Sequence, residues 1–117
     1  DLSRELGYTF VTADELRALG PERYGGLVRE RVGDRPVFLS FDVDFLDPAY
    51  APGTGTPEVG GFSTAEALAF LRALRGINLA AADVVEVSPS YDGPGQITAL
   101  AAANVLWELL ALRAAVA

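Results

Sequence analysis

The sequence predicts an α/β fold built on a parallel sheet. Three observations carry that expectation. Two compact apolar runs, residues 37–41 and 83–87, have the length and residue types of buried strands. Apolar residues at helical spacing occupy segments before, between and after those runs. Strand and helix signals therefore alternate along the chain, which predicts helices on both faces of a parallel sheet.

The elements follow in order. Residues 8–11, Tyr-Thr-Phe-Val, are rich in strand formers and read as a short first strand. Thr12-Ala-Asp-Glu15 has the spacing of a capping box, opening a short helix that Gly20 ends. Pro21 suits the first turn of a new helix running through Leu27, Val28 and Val32 to Gly33. Gly25-Gly26 should weaken that helix. Residues 37–41 then form a strand covered on both faces. Residues 47–61 hold three Pro and four Gly in fifteen positions, a loop long enough to suggest function.

Ser63-Thr-Ala-Glu66 is a second capping box. Its helix turns Ala67, Leu68, Phe70, Leu71 and Leu74 inward, and Gly76 stops it. Residues 83–87 form the next strand. Gly93-Pro-Gly95 leads into an Ala/Leu helix over residues 96–114, with Leu106, Trp107, Leu109 and Leu110 expected in the core. Asn104, Glu108 and Arg113 interrupt the apolar stretch 97–117 and argue against a membrane span. Three strands would make a narrow sheet, so further strands are expected outside this chain.

The chain has 117 residues, half of them hydrophobic and 21% charged, which is globular composition. Residues 1–117 are expected to form a single α/β unit without linkers or repeats. The chain opens at Asp1 and has no Met, as expected of a processed chain or a fragment. It has no Cys, so disulfides, thiolate nucleophiles and Cys-ligated zinc are excluded. It has no His, so imidazole ligands and proton shuttles must come from elsewhere. All nine basic residues are Arg, and the net charge is −7. That excess argues against a nucleic-acid surface. It fits a cationic ligand or a metal ion, with a solvated acidic surface as the plain alternative. Alanine and arginine richness without lysine suggests a GC-rich bacterial source. No apolar signal-peptide core is visible, so a cytoplasmic location is expected.

Asp42-Val-Asp44 is the leading chemical signal. It follows directly on the strand 37–41, where ligands bind in open parallel sheets. Two carboxylates two residues apart repel unless a cation or a proton intervenes, and hard divalent metals take such oxygen ligands. The plain alternative is that one Asp caps the next turn and the other is solvated. Glu86 lies in the apolar run 84–87, where an ionised carboxylate is costly without a partner. It suits an edge strand, a structural ion pair with an Arg, or a cationic substrate such as a guanidinium or amine. The loop from Pro52 to Pro57 reads either as plain turn chemistry or as a way to bring Thr hydroxyls and backbone close to a ligand. No Gly-Lys-Ser/Thr follows it, so it is not a Walker A loop. Asp92 reads as a turn or cap residue.

Together these motifs resemble the ureohydrolase (arginase/agmatinase) family. The likeness runs through Ser-Phe-Asp-Val-Asp-Phe-Leu-Asp-Pro-Ala-Tyr-Ala-Pro-Gly-Thr-Gly-Thr-Pro-Glu-Val-Gly-Gly at residues 40–61. It continues in Val-Glu-Val-Ser-Pro-Ser-Tyr-Asp at 85–92, followed by Ile-Thr-Ala-Leu at 97–100. Thr12-Ala-Asp-Glu15 is similar to the usual upstream segment. The resemblance covers nearly the whole chain but only the C-terminal part of the family's three-layer α/β/α fold.

It implies hydrolysis of a guanidino compound to urea and an amine at a pair of Mn2+ ions, by a metal-bridging hydroxide. Asp42 matches the carboxylate that bridges both ions, and Asp44 a carboxylate that binds one of them. Glu86 matches the acid that holds the substrate guanidinium, and Thr56 a loop residue lining the active site. Ala-Pro-Gly-Thr-Gly-Thr-Pro-Glu at 51–58 is more like the agmatinase branch, which implies a small substrate such as agmatine. The resemblance also implies a homo-oligomer, a trimer or hexamer, in the complete protein. The family's Gly-Gly-x-His-Ser and Asp-x-His-x-Asp segments, with their further ligands, are absent here. The expectation is an enzyme as the parent protein and an inactive isolated chain.

Three rivals stand beside this reading. A haloacid-dehalogenase-like phosphotransferase also places Asp-x-Asp after a strand, but usually has Thr or Val where Leu46 stands here. A non-catalytic scaffold would account for the absent half-site, though not for retaining Asp42, Asp44 and Glu86. Completion of the site by another chain is the third.

Overall fold

The computed structural model describes residues 2–116. Asp1 and Ala117, the ends of the expected 1–117 unit, lie outside the described residues. The elements are α1 (Leu2–Glu5), α2 (Ala13–Val32), β1 (Val37–Asp42), α3 (Thr64–Ala73), β2 (Leu79–Val85) and α4 (Ile97–Ala114). Short 3-10 turns, Val43–Phe45 and Pro89–Tyr91, follow the two strands.

Both capping boxes form. The Glu15 amide donates to the Thr12 hydroxyl at 3.3 Å, and the Thr12 amide donates to the Glu15 carboxylate at 2.7 Å. The Ser63–Glu66 pair repeats this at 3.2 and 2.8 Å. Gly20 breaks α2 as its position suggests, with φ 72° and ψ 167° inside the helical run, and Pro21 restarts it. Gly25 corrects the expectation of a mere weak point. A Cβ there would stand 2.2 Å from the Ala73 carbonyl oxygen, so glycine is what lets α2 lie close against α3.

The sheet is parallel, as expected, with β1 beside β2 and α3 in the crossover. The register pairs Ser40 with Asp83, Phe41 with Val84 and Asp42 with Val85. Leu39, Phe41, Ala82 and Val84 face a core completed by Leu71 and Leu74 of α3 and Val105, Leu109 and Leu112 of α4. Burying a Leu or Phe side chain in such a core is worth roughly 1.5–3 kcal/mol each.

Four expectations need correction. The predicted strand at 8–11 is irregular chain, with Phe10 68% exposed, because no strand among the described residues pairs with it. Residues 37–41 are covered on one face only, since burial alternates along β1 and Phe38 is 64% exposed. The second strand runs 79–85 rather than 83–87, and starts earlier because the alanines pair in register with Phe38 and Leu39. Of the four residues expected in the core of α4, only Leu109 is buried; Leu106 and Leu110 are exposed and Trp107 is 71% exposed. A helix apolar all round buries only the face that meets a partner, and α4 meets β2 and α3 on one side. Helix α4 has the length and mean hydropathy, 1.4, to cross a membrane, yet its Ala101, Val105, Leu109 and Leu112 face belongs to the core.

Candidate functional site

Because the strands are parallel and in register, they end at the same edge. Asp42 is the last residue of β1 and Glu86 the first after β2, one position beyond Asp42's partner Val85. Asp44 lies in the 3-10 turn immediately after β1. The three acidic residues singled out from the sequence therefore share the carboxyl edge of the sheet.

Their surroundings differ. The Asp42 carboxylate accepts the Asp44 amide at 2.9 Å, so it caps the turn and remains exposed. The plain alternative for that Asp is thus realised, and it leaves the remaining lone pairs open to solvent. Asp44 is half-buried, and each of its oxygens accepts a threonine hydroxyl, Thr54 on Oδ1 and Thr56 on Oδ2. Thr56 is exposed, whereas Thr54 is buried. Thr54 is the site residue that sequence reading missed. The Gly-Thr-Gly-Thr pattern marked the loop, but nothing in it said which hydroxyl turns inward.

The loop over residues 47–61 is closed at its stem. Leu46 and Phe62 form a parallel bridge. The Phe62 amide donates to the Phe45 carbonyl at 3.0 Å, and the Asp47 amide to the Phe62 carbonyl at 2.9 Å. The Asp47 carboxylate accepts the Ala49 amide at 2.9 Å and the Gly60 amide at 2.8 Å. Those amides, Ala49 first and then Gly60, hold its carboxyl below the ordinary aspartate range against a smaller opposing desolvation. Gly61 packs so tightly that a Cβ would stand 2.4 Å from the Asp47 amide nitrogen. The Asp-Pro step at 47–48 is an Asx-turn signal that could have found this anchor.

The loop's far side meets the start of α4. Gly53 donates its amide to the fully buried Thr98 hydroxyl at 2.8 Å and accepts the Ser88 amide at 2.7 Å. A Cβ on Gly53 would fall 2.8 Å from that of Asp92. Asp92 accepts the Thr98 and Ala99 amides at 3.2 and 3.0 Å, capping α4 in place of the adjacent Gln96. Desolvation pushes its carboxyl up, but the Ala99, Thr98 and Gly93 donors together bring it below the usual value. The cap expected of Asp92 is present.

Glu86 stands apart. Its backbone has φ 66°, a left-handed conformation uncommon for a non-glycine residue, and its side chain is exposed rather than inside a strand. Costly local backbone of this kind clusters at ligand sites.

Asp42 and Asp44 fit a hard divalent cation by donor type, and the hydroxyls on Asp44 still leave it acceptor capacity. Among the described residues no group of three or more His, Cys, Asp or Glu is placed to hold a metal. The donor set is of the right kind and short in number.

The family model for the arginase family matches residues 1–112. An agmatinase from Photorhabdus laumondii is 48% identical over 111 residues, covering 95% of this chain and 36% of its own. A guanidinobutyrase from Pseudomonas aeruginosa is 49% identical over 108 residues, covering 92% and 34%. The solved structure of a proclavaminate amidino hydrolase from Streptomyces clavuligerus superposes with a TM-score of 0.93 at 47% identity, covering 98% of this chain and 38% of that one. The chain spans about a third of the length of the curated relatives it matches.

Proposed function

This chain belongs to the arginase family, and we propose that the protein carrying it hydrolyses a small guanidino compound, such as agmatine, to urea and an amine. Residues 1–117 are a single α/β unit of a larger ureohydrolase domain. Asp42 and Asp44 are two ligands of a paired Mn2+ site whose other ligands lie outside this chain. When bound, such ions supply an acidified water nucleophile and offset developing charge. The chain's own residues prepare the rest. Thr54 and Thr56 fix the direction of the Asp44 oxygens. Glu86 receives the guanidinium through charge-assisted hydrogen bonds and turns its carbon toward the two aspartates. Thr56, exposed at the tip of the same loop, lines the substrate side.

The observation that carries this reading is the shared edge: the register places Glu86 one step beyond the partner of Asp42. Recognition at the guanidinium end agrees with the variety of names among the relatives, agmatinase and guanidinobutyrase, which differ in the rest of the substrate. A cytoplasmic homo-oligomer, trimeric or hexameric, is part of the proposal and is checked by light scattering on the complete protein.

The test is urea release by the complete protein with Mn2+ and agmatine, guanidinobutyrate or guanidinopropionate. Activity that requires both Asp42 and Asp44 is the expected result. A well-folded, metal-blind complete protein would make it a scaffold instead. The isolated 117-residue chain is expected to release no urea, because its donor set is incomplete; steady turnover by it would overturn that part.

A further inference from the structure

We propose that Arg17, on α2, is a positioning residue for the Asp44 carboxylate, acting through the stem of the 47–61 loop. This role deepens the reading of Asp44 as a metal ligand and rests on it. The Arg17 guanidinium donates to the Gly60 carbonyl at 2.5 Å and to the Gly61 carbonyl at 3.2 Å. Its Cζ lies 4.3 Å from the centre of the Phe62 ring, a cation–π distance. Gly60 is thereby held on both sides, its amide by Asp47 and its carbonyl by Arg17.

Two routes lead from that grip to Asp44. The first runs through the rings. Phe62 stacks on Phe45 with centroids 4.4 Å apart and planes 5° from parallel, and Phe45 is the residue next to Asp44. The second runs through the loop, whose stem Arg17 grips at Gly60 and Gly61 and whose Thr54 and Thr56 hydroxyls rest on the Asp44 oxygens. Arg17 is itself steered by acids on two helices. Asp14 lies 3.6 Å away on α2. On α3, the charge of Arg17 adds to the Ser63 hydrogen bonds that lower the Glu66 carboxyl. Both hydrogen bonds come from one nitrogen, Nη2, and the planar, weakly hydrated guanidinium can stack on the Phe62 ring at the same time.

The experiment compares Arg17→Met and Arg17→Lys in the complete protein. Three readouts are needed: the Asp44 13Cγ resonance without metal, amide exchange at Gly60 and Thr54, and Mn2+ affinity by titration. For Arg17→Met the expected results are a displaced or broadened Asp44 resonance, faster exchange confined to the loop, and Mn2+ binding weaker by about tenfold, the scale of an outer-sphere partner. Arg17→Lys should fall between Met and Arg, and it serves alone if Arg17→Met does not fold. A general loosening that includes the α4 amides, or an unmoved Asp44 resonance, would overturn the proposal. Failure of the parent protein to bind Mn2+ would overturn the metal reading instead, and the metal-free resonance would still decide whether Arg17 positions Asp44.

Discussion

The two strands end side by side, and the acids nearest their ends stand in opposite surroundings. After β1, the three aspartates each have a donor: Asp42 has the Asp44 amide, Asp44 has two hydroxyls, and Asp47 has two amides. After β2, Glu86 sits in left-handed backbone with no side-chain hydrogen bond or ion pair among the described residues. A ligand that must hold a cation in fixed geometry gains from being oriented beforehand. An acid that must exchange one partner for another gains from being left open. The difference matches the roles proposed for metal and substrate.

That contrast can be broken most sharply at Asp44. Asp44→Ala should lower Mn2+ affinity of the complete protein by at least about 100-fold, above the range for outer partners, as read by titration; an unchanged affinity would remove the β1 side as a metal site. Gly61→Ala comes next. It forces a Cβ against backbone at Leu46 and Asp47 and should cost about 1–3 kcal/mol in urea unfolding, the range for overpacking. Thr54→Val keeps the shape and removes one donor from Asp44. It should weaken Mn2+ binding by about 10-fold, and Thr56→Val by less because Thr56 is exposed; the reverse order would mean that burial does not set the orienting strength.

The β2 side should respond with the opposite sign. Glu86→Gly relieves the left-handed backbone and should raise stability by up to about 1 kcal/mol, while substrate binding falls; a loss of stability would show that the Glu86 side chain holds structure. The smallest effect is expected from acid. The folded Asp47 carboxyl lies below its unfolded value, so its stabilisation is complete above about pH 4 and fades as pH falls through the lower folded value. Asp47→Ala should therefore differ from the parent in urea midpoint at pH 7 and converge with it as the pH falls below the folded value. A difference that persists in acid would mean that Asp47 acts through shape rather than charge.

Local chemistry made much of this legible. The capping boxes, the Gly20–Pro21 break and the Asp92 cap are short-range hydrogen-bonding and dihedral preferences, so a few neighbouring residues specify them. The strands were visible as apolar runs, though the limits of β2 moved because alanine pairs well in a sheet without signalling it. Coverage was not legible. Trp107 and Phe38 have core chemistry, and whether they are buried depends on which element lies opposite. Asp42, Asp44 and Glu86 were singled out as residue types at a recognisable spacing and Thr56 through the family resemblance, but the contacts of Thr54, Asp47 and Arg17 were not legible, because they are set by partners elsewhere.

The sequence by itself determined the parallel α/β class, the helix starts and the acidic edge, since each rests on contacts within a few residues or on alternation along the chain. Only the tertiary structure decided that Gly25 is a contact point, that Thr54 rather than Thr56 is buried, and that an arginine more than forty residues away holds the loop. Those depend on which surfaces meet in space, and distance along the chain carries no record of that.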